Sequence, residues 1–261
     1  MACGAGPLRL SRKTVSFEPA PAPLAHLAIH DRVVGLLNVL PRGNVLDVPA
    51  GEGALAARLM QSGFTVDCCD LYPEIFRVKG VEIKRGNLLE RLPYADGEFQ
   101  YVTCIEGLEH LESPARAIRE FKRLVQRGGH LIVSVPNIHN IEERFKWLVH
   151  GYTSHFKPLS KTYLEQVRQD HGAREEIALH VHAISYSELR YHLESNGFQI
   201  FEILRDKPKR HLWLYWPAIA LIELVKRLTP RKKREERWTD QLNSAELLMG
   251  GNTLIVHAIK R

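Results

Sequence analysis

The chain has 261 residues, 44% of them hydrophobic and 25% charged, with a net charge of +6. That composition excludes a disordered, collagen-like or coiled-coil chain, and the length suffices to bury a core without disulfide or metal staples. The charge is local: Arg205 to Arg237 holds 11 basic and 4 acidic residues, leaving the rest of the chain close to neutral, so one segment is suited to an anionic surface.

Residues 1–23 are rich in Pro, Ala and Gly and read as an arm, which with the following helix makes an N-terminal unit over 1–40. No apolar secretory segment is visible in this stretch, so a cytoplasmic location is expected. Apolar residues at helical spacing predict a helix over 24–40, stopped by Pro41-Arg42-Gly43. Strands are predicted over 44–49, 64–70, 81–85, 99–105 and 130–135, with helices over 52–62 and 114–126, the latter ended by Gly128-Gly129. The pattern resumes with a helix over 187–195 and strands over 198–204 and 252–259. Seven short strands alternating with helices predict an α/β fold, a mostly parallel sheet covered on both faces. It reads as a single domain carrying two insertions, 137–184 and 206–250. Four cysteines (Cys3, Cys68, Cys69 and Cys104) show no CxxC spacing and read as reduced, buried thiols.

The first strand ends in Asp47-Val48-Pro49-Ala50-Gly51-Glu52-Gly53 and runs straight into a helix. A glycine turn at the carboxyl end of a parallel strand lets the backbone approach a ligand closely. The second strand ends in Asp70, whose carboxylate can accept both hydroxyls of a ribose. Together they point to a nucleoside-containing cofactor.

With VLDVPAGEG (45–53), Asp70, GNLLERLPYADGEFQYVTCIEGLEHL (86–111) and GGHLIVSVPN (128–137), the chain resembles the class I S-adenosylmethionine-dependent methyltransferases. The resemblance implies a seven-stranded, Rossmann-like methyltransferase sheet and S-adenosylmethionine as cofactor. It also implies that Gly51 and Gly53 cradle the methionine end beside Asp47. By the same carry-over Asp70, followed by Leu71, binds the ribose, Asn87 and Leu88 border the adenine, and Ile105-Glu106 lies beneath the sulfonium. Two positions depart from the family pattern. Pro49 replaces a first glycine, and Asn87 replaces an aspartate, although an Asn carbonyl oxygen still accepts a hydrogen bond.

Methyl transfer to a hydroxyl needs alignment and also a base, or a metal that lowers the hydroxyl pKa. Glu106, Glu109 and His110 are spaced to share one face of a helix. His180 and His182 point the same way if their stretch is extended. Two readings stay open. His110, with Glu106 and His182, can serve acid–base catalysis. Glu106, Glu109, His110 and His182 can instead hold Mg²⁺ or Mn²⁺, an arrangement similar to the ExxEH-plus-His set of small-RNA 2′-O-methyltransferases. That family carries a second histidine where Leu111 stands here.

The segments 134–160 and 180–198 resemble bacterial methyltransferases of cell-surface polysaccharide and secondary-metabolite pathways, which implies a small-molecule, glycan-type or lipid-linked acceptor; oxygen is the expected methylated atom, with nitrogen left open. Phe145, Trp147, Tyr152, His155 and Phe156 suit a lid. In 207–234 the apolar run 212–225 is too short to span a bilayer and contains Pro217. Its tryptophans and flanking cations suit either an anionic membrane surface or a helix packed over the site. Without an OB, KH or zinc-finger pattern, nucleic acid is not an expected partner. A non-catalytic partner subunit would be expected to have lost Asp70, Gly51 or Gly53.

Overall fold

The computed structural model describes residues 20–261. Helix α1 (Leu27–Asn38) precedes strand β1 (Asn44–Asp47), helix α2 (Ala54–Gln61) and strand β2 (Thr65–Asp70). Strands β3 (Ile83–Arg85) and β4 (Phe99–Cys104) follow, then helix α3 (Pro114–Leu124) and strand β5 (Val125–Pro136). The first expected insertion contains α4 (Ile141–His150) and α5 (Lys161–His171). Helix α6 (Tyr186–Ser195) and strand β6 (Phe198–Arg205) return to the sheet. The second insertion holds α7 (Trp216–Leu228), α8 (Arg231–Glu236), α9 (Thr239–Leu242) and α10 (Ala245–Leu248), and β7 (Thr253–Lys260) completes the sheet.

The seven strands form one sheet in the order β3-β2-β1-β4-β5-β7-β6, parallel except for β7, which runs antiparallel between β5 and β6. The expected α/β sheet is therefore observed. Its core is made by strand residues buried on both faces: Leu46, Val102, Leu131 and Val256 with α3 and α6 on one side, Val45, Ile132 and Ile255 with α1 and α2 on the other. Strands that are apolar on both faces are what a sheet covered by helices requires. The topology brings the carboxyl ends of β1, β2, β4, β5 and β6 and the start of β7 to one edge.

Two local expectations are corrected. Helix α3 stops at Leu124, and the glycines at 128–129 lie within β5. Here Phe99 pairs with Val125 but Tyr101 with His130, so the strand bulges. Gly128 adopts φ 76°, and a Cβ on Gly129 would stand 2.8 Å from the Gln100 carbonyl, so the glycines serve the bulge rather than end a helix. Pro217, expected to interrupt an apolar run, sits in the first turn of α7, where a missing N–H costs nothing. Cys68, Cys69 and Cys104 are free and buried, and burial pushes the Cys69 thiol up to about 12; Cys3 lies outside the described residues.

His139, just before α4, joins the first insertion to the body. Its Nε2 accepts the Tyr186 N–H at 3.1 Å, which requires a neutral ring, and burial followed by nearby Arg144 lowers its pKa to about 4. The unfolded chain takes up a proton below about 6.5 that the folded chain refuses until about 4. The contribution is complete above 6.5 and is lost on acidification through that window, by up to about 1.4 kcal/mol per pH unit. Urea denaturation of wild type and His139→Gln at pH 7 and pH 5 checks this. The variant should lose about 2 kcal/mol less than wild type; equal losses would clear His139.

Candidate active site

A cavity of about 600 Å³ opens along the carboxyl edge of the sheet, large enough to enclose most of a small molecule. Its first half lies over β1, β2 and β3. Gly51 (φ 54°) and Gly53 (φ 89°) shape the turn between β1 and α2. A Cβ on Gly51 would come 2.9 Å from Leu24, and one on Gly53 would come 2.5 Å from both Phe76 and Val78. The positive φ values and the close neighbours each demand glycine. Asp70 is buried at the end of β2; its Oδ2 accepts the Gly51 N–H and its Oδ1 the Tyr72 N–H, both at 2.8 Å. Each oxygen keeps a further lone pair for a ligand.

Asp47 is buried and accepts the Thr103 hydroxyl at 2.8 Å. Burial raises its pKa to about 7 against the pull of that hydrogen bond. Leu71, Asn87 and Leu88 line the same half, and Asn87 Oδ1 accepts the Leu89 N–H at 2.9 Å. The glycine turn, the strand-end acid and the Asn87 segment thus line one cavity, an arrangement that fits a nucleoside-bearing cofactor. Ile29 and His30 of helix α1, with its N-cap His26, also line the cavity, a contribution the sequence did not announce because the helix's apolar face reads as ordinary core.

The second half lies over β4, β5, β7 and β6. Ile105 and Glu106 line it after β4. Glu106 has φ 49°, in the left-handed region. Its N–H donates to Ser134 Oγ, which in turn donates to Glu106 Oε1, both at 2.9 Å. Burial raises the Glu106 pKa to about 7, with the Ser134 hydrogen bond opposing and Asp206 adding to it.

The expected helical face for Glu106, Glu109 and His110 is not formed. The left-handed Glu106 is followed by a single 3-10 turn, Leu108–His110, so the three residues do not build one α-helical face. Glu109 is fully buried, and neither of its carboxylate oxygens has a hydrogen-bond partner. Burial, then the Glu106 charge, holds its pKa well above the ordinary carboxylate range. His110 faces the cavity, its Nδ1 2.9 Å from the Leu179 carbonyl. A carbonyl only accepts, so Nδ1 carries the hydrogen and Nε2 the lone pair of the neutral ring.

His180 and His182 do not point the same way. The amides of Val181 and His182 both donate to the Glu109 carbonyl, and this convergence curls the backbone. His180 turns to the cavity, its ring 4.8 Å from that of His110. His182 instead places Nε2 2.7 Å from Glu188 Oε1 and is not part of the cavity wall. The donor atoms that gather, within 4.8 Å of one another, belong to Glu109, His110 and His180, rather than to the expected set with Glu106 and His182. Burial lowers the His180 pKa to about 4, helped by His110 and His155. Of the expected lid residues, His155 lines the cavity and Phe156 packs on His180, while Trp147 is 59% exposed and Phe145 stacks on Tyr215.

Asp206 and Thr253 also line this half and were not anticipated. The signal existed: Asp206 lies two residues past a predicted strand, as Asp70 ends one, but strand direction in the sheet was needed to see that both reach the same edge.

A family model described as a methyltransferase domain matches residues 24–220. The chain belongs to the methyltransferase-domain family. The chain shares its fold with solved S-adenosylmethionine-dependent methyltransferases. It is similar to the ubiquinone biosynthesis O-methyltransferase of Alkalilimnicola ehrlichii, with 34% identity over 116 residues, 41% of this chain and 47% of the relative. The enzyme of the same name from Xanthomonas campestris is 33% identical over 107 residues, 38% of this chain and 45% of the relative. The methyltransferase thus spans about half the length of the curated relatives it matches. Among solved structures, a possible histamine N-methyltransferase of Thermotoga maritima aligns with TM-score 0.54 and 16% identity, covering 90% of this chain and 89% of that one. A phosphoethanolamine N-methyltransferase of Haemonchus contortus, solved with S-adenosyl-L-methionine, aligns with TM-score 0.52 and 14% identity over 89% of this chain and 52% of its own. At these identities the likeness is one of fold.

The crowding at Gly53 gives a direct check. Gly53→Ala places a side chain at positive φ against Phe76 and Val78, and should destabilise the fold by about 1–3 kcal/mol in urea titration. A variant as stable as wild type would contradict the tight turn.

Proposed function

We propose that the methyltransferase transfers a methyl group from S-adenosylmethionine to a hydroxyl oxygen of a small or glycan-type acceptor. The observation that carries this reading is the single cavity that joins the Asp70-tied glycine turn to His110. When bound, S-adenosylmethionine supplies a methyl group on a positively charged sulfur. Asp70, with Leu71 beside it, would hold the ribose hydroxyls. Gly51, Gly53 and Asp47 would receive the methionine end, and Asn87 and Leu88 the adenine. Ile105 and Glu106 would lie where the two halves of the cavity meet, beneath the sulfur.

The chain's own work is then alignment, exclusion of water and removal of one proton. His110 is the residue suited to taking that proton. The Leu179 carbonyl fixes its tautomer with the lone pair on Nε2, and burial keeps its neighbour His180 neutral. Choice of oxygen is supported by the names of the curated relatives. His182, engaged with Glu188, is better read as a support for the stretch carrying His180 than as a catalytic group.

A second reading draws on Glu109. A buried carboxylate with no partner, beside His110 and His180, is a donor set for a divalent ion. Two imidazoles with one carboxylate favour zinc, manganese or iron over magnesium. The two readings separate in one assay of methyl transfer from labelled S-adenosylmethionine into a fractionated cell extract. Asp70→Ala should weaken cofactor binding at least about 100-fold in calorimetry, the loss of two charge-assisted hydrogen bonds. His110→Ala should leave that affinity unchanged and lower turnover by about 10²–10⁴. Full turnover in His110→Ala would refute its role, and loss of transfer on adding chelator would favour the second reading.

The basic insertion supports a peripheral membrane role. No helix among the described residues is long and apolar enough to cross a membrane. Ile219 of α7 packs with Ile141 and Leu248, but Trp213, Trp216, Leu221, Leu224 and Leu228 are left exposed. The basic helix α8 follows directly. Exposed aromatics and aliphatics beside cations are what an interfacial anchor needs, and each cation adds about 1 kcal/mol at an anionic surface. The full chain should cosediment with phosphatidylglycerol vesicles and not with phosphatidylcholine vesicles, and Trp213→Ala with Trp216→Ala should reduce this. Equal sedimentation with both lipids, or none with either, would dismiss the surface.

A further inference from the structure

Asp206 presents an electrostatic problem that the fold leaves unsolved. It is 4% exposed, and its Oδ1 is buried with no hydrogen-bond partner. A buried carboxylate without a partner is costly, and protein structures normally supply a cation or several donors. Four nearby cations are turned elsewhere. Arg205 donates to the Ala245 carbonyl at 3.3 Å, and Lys207 Nζ lies 3.3 Å from His26 Nε2. Lys209 pairs with Glu142 at 2.7 Å. Arg32, crossing from α1, reaches only the Asp206 main-chain carbonyl, at 3.5 Å.

Lys207, also on the cavity wall, turns its ammonium to His26, while Glu106 adds negative charge. Glu106 lies close enough for the two carboxyl groups to repel. Gly251 leaves room for the acid, since a Cβ there would fall 2.2 Å from Asp206 Oδ1. Both Asp206 and Glu106 line the cavity. Among the described residues, then, this part of the cavity wall carries two carboxyl groups close enough to repel each other and no ion pair to Asp206.

Sheet order says which ligand meets them. Along the edge the sequence of strands is β2, β1, β4, β5, β7, β6. Asp70 ends β2 and Asp206 follows β6, so they stand at opposite ends, with Glu106 after β4 between them. A donor anchored by Asp70 and the glycine turn fills the first half. The region between Glu106 and Asp206 belongs to the acceptor.

We infer that Asp206, with Glu106, forms a subsite for a primary ammonium group on the acceptor, so that the acceptor is an amino-alcohol or amino-sugar rather than a neutral polyol. The inference rests on the methyltransferase reading above and names its substrate class. An ammonium brings the missing charge and three donors, enough to serve the Asp206 carboxylate and a Glu106 oxygen together. Held protonated by two acids, the nitrogen has no lone pair to attack a methyl group. It positions the molecule, and a hydroxyl elsewhere on it is the nucleophile near His110.

The same chemistry exists on the donor, whose methionine end also carries an ammonium, and the test separates the two sources. The full chain loaded with S-adenosylhomocysteine is examined by saturation-transfer NMR with paired probes: glucosamine against glucose, and ethanolamine against ethylene glycol. The amine of each pair should bind at least about 10-fold more tightly, the worth of one charge-assisted hydrogen bond. Asp206→Asn should reduce it to the level of its neutral partner. This change is nearly isosteric and removes a buried charge, and its melting temperature verifies that the protein is folded. Calorimetry with S-adenosylmethionine should give wild type and Asp206→Asn affinities within about twofold. Equal binding within each pair, or binding of no probe, overturns the subsite. A 10-fold or greater loss of S-adenosylmethionine affinity in Asp206→Asn assigns the ammonium to the donor and overturns the acceptor class. Failure of wild type to bind S-adenosylmethionine at all would instead strike the methyltransferase reading.

Discussion

The hydrogen bond from the Gly51 N–H to Asp70 Oδ2 is the tie on which the site depends. It joins the turn after β1 to the end of β2 and sets the position of α2, whose N-terminus begins at Gly53. Through Phe76 and Val78, packed where a Gly53 side chain would lie, it also fixes the approach of the segment leading to β3. Neither partner can be exchanged freely. The acid must be short and sit at a strand end, and the turn must lack side chains.

Much of this was legible in the sequence because it rests on local rules. Apolar, β-branched runs marked all seven strands within a few residues, and Asp70 declared itself as an acid ending one of them. Legibility failed where distant contacts override spacing. The interval between Glu106 and His110 is helical in number, yet Ser134 captures Glu106 in a left-handed conformation and the turn becomes 3-10. His180 and His182 alternate like strand residues, but one carbonyl, that of Glu109, takes both neighbouring amides and sends the rings apart. Gly128 and Gly129 look like a helix terminator and are consumed by a bulge in pairing with β4. Each partner lies at least 28 residues away, except for the bulge, whose cause is a strand register no single segment contains.

The two halves of the cavity differ in how they treat charge. Over β1 and β2 the acids are engaged: Asp70 by two amides and Asp47 by a hydroxyl. Over β4 to β6 they are crowded and under-satisfied, with Glu109 and Asp206 each burying oxygens that meet no donor. Histidines nearby are driven toward neutrality by the same burial. Such a region gains most from a ligand that arrives with its own positive charge or many donors. The fold thus assigns rigidity to one half and an unmet electrostatic demand to the other.

The placement of β7 governs the order in which these halves can come into being. Strand β6 pairs only with β7, and β7 is the last of the seven strands in sequence. During synthesis, β1 to β5 can assemble as soon as residue 136 is free, because every pairing among them is already available. Strand β6, and with it Asp206, has no sheet edge to join until residues 253–260 have emerged. Until then the glycine turn has all its neighbouring strands, whereas the β5 edge and the second half of the cavity still lack theirs. Residues far from the glycine turn thereby control when the second half of the cavity can be walled in.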